Sequence, residues 1–249
     1  MKNVVLALMA HPDDAEFYCA GTLIRLAELG WQVHIATATP GDCGTMIHTR
    51  WDIASIRTRE AGKAARLMGA TYHCLDERDG MVVFDKAALG KTIDLFRRVT
   101  PQLVFTHPIR DYMMDHEQVS QLVRAASFVF GAPNVSQVPR HPHAAVPHVY
   151  FTDPVEGIDQ QGRPAEIGTL VDISRQIKLK TRMLACHASQ RQWLRAHHGI
   201  DEYVDAMKRL SQTRGTDLGV KYAENFVQYR PHSYPADDLL ARLFGKGTK

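Results

Sequence analysis

Short apolar runs alternate with segments of helical periodicity through the first half of the chain, and no other feature narrows the choice of fold as far. Residues 4–9 (VVLALM), 33–39, 71–75 and 102–107 read as strands. Residues 16–29, 53–68, 86–99 and 116–130 repeat apolar side chains at spacings of three and four, as in Val119, Leu122, Val123 and Ala126. A run that is apolar throughout, such as 4–9, suits a strand buried on both faces, the usual state in a parallel sheet. Strands alternating with helices of this length predict an α/β fold, a mostly parallel sheet with helices on both faces. Ligands of such sheets sit beyond the carboxyl ends of the strands.

After residue 130 the rhythm changes. Residues 131–147 are rich in Pro and His and predict a surface loop; strands follow at 148–153 and 168–174, then helices at 175–187, 190–196 and 201–211. Residues 213–231 close the fold, with Phe226 as core packing and Glu224 as a structural acceptor, and the final residues read as loosely attached. The 249 residues are expected to form one domain, with 1–130 as the α/β core and 131–249 covering the strand ends. A net charge of +3, with no Lys/Arg run interleaved with aromatics, gives no support to nucleic acid as a partner. No apolar segment has the length of a membrane span, and no leader-like segment precedes the first strand. Cys19, Cys43, Cys74 and Cys186 lack Cys-x-x-Cys spacing and read as free thiols of a cytoplasmic protein. A small molecule is the expected partner, and a homo-oligomer stays open.

The chemistry concentrates where the first strand ends, in His11-Pro12-Asp13-Asp14. Adjacent carboxylates at a buried strand end repel and are costly to desolvate. His11 and Asp14 are three apart at a strand-to-helix junction, where the first turn brings them to one side, and zinc accepts both ligand types. Asp13 points elsewhere around the turn and is free to act as a base. The alternative is that Asp13 or Asp14 merely caps the helix. A second group, Asp115 and His116, opens the helix after the fourth strand on the same sheet edge. His11, Asp14 and His116 supply the three ligands that a catalytic zinc site needs.

These residues carry a resemblance. AHPDDAEF followed by the distant DYMMDHE, with ATPGDCGT, RTREAGKAARLMGA, DISRQIKLKTRMLACHASQ and RGTDLGVKYAENF, resembles the PIG-L/LmbE-like family of zinc-dependent N-deacetylases over nearly the whole chain. The resemblance implies a Rossmann-like three-layer α/β sandwich and hydrolysis of acetamide or related linear amides on amino sugars and their conjugates. It also implies zinc on His11, Asp14 and His116, with Asp13 as general base. The chain departs from the family pattern at one place: many members have histidine, thought to stabilise the oxyanion, where this sequence has Met113. Methionine offers no donor. His187, His107 and Tyr112 are the candidates for that task, and Arg59 is a candidate to hold Asp115 or a substrate oxygen. Asp115 is expected to orient a metal histidine, and Asp42 to shape the pocket or bind a sugar hydroxyl. His141 and His143 read as solvent-exposed. The rival readings are an amidase for a thiol conjugate or other amide, and a non-catalytic metal-binding module. A nucleotide-binding fold is disfavoured because the first strand–helix junction lacks Gly-x-Gly-x-x-Gly.

Overall fold

Val4–Met9 forms β1, the middle of a seven-stranded sheet, and its side chains divide the molecule into layers. Val5, Ala7 and Met9 enter one apolar core while Leu6, Leu8 and Ala10 enter the other. That is the period-two alternation of a strand with both faces covered. The computed structural model describes residues 3–139, 141, 144–198 and 203–245. In chain order the elements are α1 (Asp14–Tyr18), α2 (Ala20–Glu28), β2 (Gln32–Thr37), α3 (Arg50–Arg66), β3 (Thr71–Cys74), α4 (Lys86–Val99), β4 (Leu103–Thr106) and α5 (Met114–Val129). They continue with β5 (His148–Thr152), β6 (Thr169–Asp172), α6 (Ile177–Leu184), α7 (Ala188–His198), α8 (Tyr203–Leu218), β7 (Ala223–Tyr229) and α9 (Leu239–Phe244).

The strand order is β3-β2-β1-β4-β5-β7-β6, and β7 runs antiparallel to both its neighbours while β1 to β5 are parallel. The mostly parallel, three-layer α/β architecture is therefore as expected. Residues from α2, α3, α6 and α9 pack in the core on one face of the sheet, and those from α4 and α5 in the core on the other. Among the described residues no helix is long and apolar enough to cross a membrane. The four cysteines are free.

Three expectations need correction. The helix anticipated over 16–29 is broken at Cys19, whose φ of −136° separates α1 from α2. Glu224 explains the break: its carboxylate accepts from the Gly21 and Thr22 amides at 2.8 and 2.7 Å, capping a new helix start from a distant strand. Ile173 presses against Gly21 so closely that a Cβ there would fall 2.6 Å from Ile173 Cγ2. Second, 223–229 is a strand, inserted between β5 and β6. Third, the described C-terminal residues 238–245 are not loose: α9 buries Leu239 and Leu240, and Asp238 caps it through the Ala241 amide at 3.0 Å, while 246–249 lie outside the described residues. The expected helix start at Asp201 and most of the His141–His143 stretch lie outside the described residues. The helix containing 203 runs on to Leu218.

Candidate active site

Between β1 and α1 the backbone makes a turn that few residues tolerate. Asp13 has φ 111° and ψ −25°. For a residue with a Cβ this costs on the order of 1–3 kcal/mol and persists only where the surroundings enforce it. The turn sends two consecutive carboxylates in different directions. Asp14 Oδ2 folds back to accept from the His11 amide at 2.7 Å, whereas Asp13 Oδ2 meets Arg57 Nη2 at 3.2 Å. Asp13 occupies the N-cap position of α1 yet makes no capping hydrogen bond. The capping alternative therefore fails for Asp13, and Asp14 serves an amide upstream of the helix.

His11, Asp14 and His116 are all buried, and their ligand atoms lie within 4.8 Å of one another. Asp14 Oδ2 is 3.4 Å from His11 Nδ1, and Asp14 Oδ1 is 3.6 Å from His116 Nε2. His116 Nε2 is buried and finds no hydrogen-bond partner among the described residues. An orphan of that kind is costly unless something else occupies it. The outer ring nitrogens face carboxylates: His11 Nε2 has Asp79 at 3.1 Å and Asp115 at 3.3 Å, and His116 Nδ1 has Asp111 at 3.1 Å. Metal-binding imidazoles are commonly backed in this way. Two imidazoles and a carboxylate around a buried orphan nitrogen fit a divalent cation, zinc among them, and the donor set also admits iron, cobalt or nickel. Asp115 does more than face His11. It accepts the Gly80 and Val82 amides at 2.7 and 3.1 Å, so one carboxylate ties the loop after β3 to the histidine.

The environment separates the two neighbouring aspartates. Burial pushes the Asp13 carboxyl up, and the Arg57 guanidinium only partly offsets it. Burial acts on Asp14 as well, but the imidazoles of His116, His107 and His11 gathered around it hold it well below the usual carboxylate range. One carboxylate is thus poised to exchange a proton while its neighbour stays anionic, a division that often marks acid–base roles.

These groups form the floor of a cavity of about 740 Å³, within the range of small-molecule sites. Its walls include Phe17 and Tyr18 from α1, Tyr112 and Met113 before α5, Trp193 and Leu194 from α7, and Tyr203 and Leu210 from α8. Several expected site residues fall elsewhere. Arg59 is exposed and bonds Ser55, so it holds neither Asp115 nor the cavity. The arginine that matters is Arg57, which donates to Pro12 O at 2.7 Å and to Asp13. Its position was visible in the helical period, since Ile53, Arg57, Ala61 and Ala64 share the buried face of α3. Asp42 is buried away from the cavity lining, accepts the Asp79 amide at 2.9 Å and pairs with Arg50 and Arg78. His107 stacks on His116 with ring centroids 3.7 Å apart, and its Nε2 accepts the Ala10 amide. That nitrogen has no hydrogen left for a substrate. His187 is sealed behind the cavity with Nε2 3.4 Å from Glu16, outside the lining. Tyr112 and Met113 do line it, Tyr112 at the exposed mouth. Asp79 and Asp111 had no motif to announce them.

Residues 6–127 match the family model PIG-L, described as GlcNAc-PI de-N-acetylase. Residues 6–127 are a PIG-L domain. The chain is 26% identical over 234 residues to a 4-oxalmesaconate hydratase of Pseudomonas putida, covering 91% of this chain and 86% of that one. It is 25% identical over 206 residues to a diacetylchitobiose deacetylase of Thermococcus kodakarensis, covering 75% and 69%. The fold also matches the N,N'-diacetylchitobiose deacetylase from Pyrococcus horikoshii, with a TM-score of 0.77 at 22% identity over 95% of this chain and 88% of that one. The PIG-L relatives are thus enzymes, deacetylases and a hydratase.

Proposed function

We propose that the protein is a zinc-dependent hydrolase that removes an N-acyl group, acetyl foremost, from an amino sugar or its conjugate. The observation that carries this reading is the divergence of Asp13 and Asp14 at the cavity floor, one turned into the His11–His116 pair and the other toward Arg57. Zinc held by His11, Asp14 and His116 would supply a Lewis acid for the acyl carbonyl and lower the pKa of water there. Asp13 accepts the proton of the attacking water and returns it to the departing nitrogen. Arg57 holds that carboxylate in place while fixing the turn through Pro12 O. Asp115 and Asp79 keep the His11 ring oriented, and Asp111 does the same for His116. The deacetylase relatives support an acetylated amino sugar, and the apolar wall of Phe17, Trp193, Leu194 and Leu210 suits a conjugate with an apolar portion.

A second reading, addition of water to the double bond of an unsaturated acid, draws on the hydratase relative, which aligns with more of this chain than the deacetylase does. Both readings need an activated water and a base, so the product decides. Zinc-loaded protein is incubated with N-acetylglucosamine, its aryl and polyol glycosides, and a panel of conjugated unsaturated di- and tricarboxylic acids. Release of amine and acetate in equal amounts, abolished by Asp13→Asn, is the expected outcome. Loss of conjugated absorbance without amine release would replace the hydrolase by a hydratase.

A further inference from the structure

Hydrolysis of an amide, the reaction proposed above and the one on which this inference rests, places negative charge on the carbonyl oxygen as water adds. A preorganised donor aimed at that oxygen is commonly worth a large part of the rate. Met113 lies on the cavity wall with no donor in its side chain. Neither His107 nor His187 reaches the cavity, since His107 spends Nε2 on Ala10 and His187 lies behind the lining. Arg57 spends Nη1 and Nη2 on Gly41 O, Pro12 O and Asp13, and its remaining donor, Nε, is buried.

Tyr18 is differently placed. It is the last residue of α1, four positions after Asp14, so the two side chains share one helix face. Its ring meets the stacked imidazoles edge-on, 5.9 Å from His107 and 6.4 Å from His116 between centroids. The phenol is only 6% exposed yet lines the cavity, and its hydroxyl makes no hydrogen bond among the described residues. Three carboxylates, Asp14, Asp111 and Asp13, act on it. Asp14 and Asp111 flank His116, and the edge-on contact sets the Tyr18 ring beside that cluster.

We propose that Tyr18 is the catalytic donor to the substrate oxyanion in this chain, doing from α1 what Met113 cannot do from the start of α5. The O–H donates to the carbonyl oxygen as it becomes an alkoxide, and the proton stays on the phenol throughout. A phenol of ordinary pKa, about 10, already keeps its proton at neutral pH, and burial first, then the neighbouring carboxylates, push that of Tyr18 further up. Tyr203 also lines the cavity, half-buried with its ring against Phe17; its hydroxyl has no hydrogen-bond partner among the described residues and is influenced by Asp13 before Asp14. Tyr112 also meets His116 edge-on, at 5.9 Å, but is 63% exposed at the cavity mouth, where water competes for its hydroxyl.

Tyr18→Phe keeps the ring and deletes the donor. On zinc-loaded full-length protein and the best N-acyl sugar, kcat should fall by about 10²-fold with KM within threefold and metal content unchanged. Adding Met113→His to Tyr18→Phe should restore at least tenfold. A second readout does not depend on turnover. By calorimetry, wild type should prefer the N-methylphosphonyl analogue of glucosamine, a tetrahedral anion, over planar N-acetylglucosamine, and Tyr18→Phe should lose at least tenfold of that preference. If wild type hydrolyses amides while Tyr18→Phe keeps kcat within threefold and keeps the preference, Tyr18 is only packing and the proposal falls. A larger kcat loss in Tyr203→Phe or Tyr112→Phe than in Tyr18→Phe would move the role to that residue. If wild type neither releases amine from any N-acyl sugar nor prefers the tetrahedral analogue, the hydrolase reading fails and takes this proposal with it.

Discussion

Replacing Glu224 by Gln removes one charge and almost no volume, which makes it a clean probe of how the C-terminal part holds the site. Glu224 on β7 is 3% exposed, and Lys180 on α6, which it meets at 2.6 Å, is 1% exposed. The same carboxylate caps α2 through Gly21 and Thr22. Glu224→Gln therefore leaves a buried ammonium without its counterion and weakens acceptance from two amides. Breaking a buried pair from one side typically costs ~3–5 kcal/mol. Gln retains one acceptor oxygen, so the amides add little and a loss of about 4 kcal/mol is expected. With a urea slope of about 3 kcal/mol per M, the unfolding midpoint drops by more than ~1 M. Lys180→Met combined with Glu224→Gln should recover at least half of the loss, because the stranded charge is gone. The measurement is urea unfolding of the four proteins in chelator, so that metal binding does not enter. A single-variant loss under ~1 kcal/mol, or a double variant no better than Glu224→Gln, would refute the assignment of a buried, mutually dependent pair.

Asp13→Asn and Asp14→Asn should separate function from binding. The first keeps near-stoichiometric metal and loses ~10²–10⁴-fold in turnover, the second loses metal affinity; elemental analysis beside a rate assay checks both, and full turnover in metal-replete Asp13→Asn would remove it as the base. Gly41→Ala puts a Cβ 2.4 Å from Arg57 Nη1 at a φ of 71°, so it should cost about 1–3 kcal/mol and dislodge Arg57 from Asp13. Turnover should fall with metal content unchanged, and a wild-type rate would show that Arg57 does not need that gap. His34 and His73 lie 2.8 Å apart between β2 and β3, and burial first, with His73 beside it, lowers His34 from 6.5 to about 4. The unfolded chain then binds more protons than the fold below about pH 6.5, so stability should decline from there toward pH 4. Urea midpoints at pH 7 and pH 5 should show a smaller acid loss in His34→Gln than in wild type, and equal losses would exclude the pair as a cause.

The parts of the fold that were legible in sequence are those governed by local chemistry. The helix over 86–99 was found to the residue because Asp85 caps it and Thr100, at φ 50°, stops it. β1 stood out because both its faces are buried. The break at Cys19 was invisible because apolar periodicity continues across it; the cause lies in Glu224 and Ile173, some two hundred and one hundred and fifty residues away. β7 was missed for a similar reason, since its identity as a strand depends on two partners it meets only in the folded sheet. In the site, the His11, Asp14 and His116 set could be read from motif and spacing. The choice of Arg57 over Arg59 needed the helix face, which was available. Asp79, Asp111 and the vantage of Tyr18 depend on loop paths and a helix ending that no local pattern encodes.

The insertion of β7 between β5 and β6 also sets the order in which the molecule can be made. During vectorial synthesis β1 to β5 can pair as they emerge, but β6 has no hydrogen-bonding neighbour until residues 223–229 arrive. Those residues must thread into a slot between two strands already present, a long-range closure of the kind that slows folding. They also carry the carboxylate that starts α2. A nascent chain stalled before residue 223 would hold His11, Asp13, Asp14 and His116, yet lack the brace behind them and leave two strand edges open to other chains. Assembly of the cavity floor is thereby deferred to the last strand made.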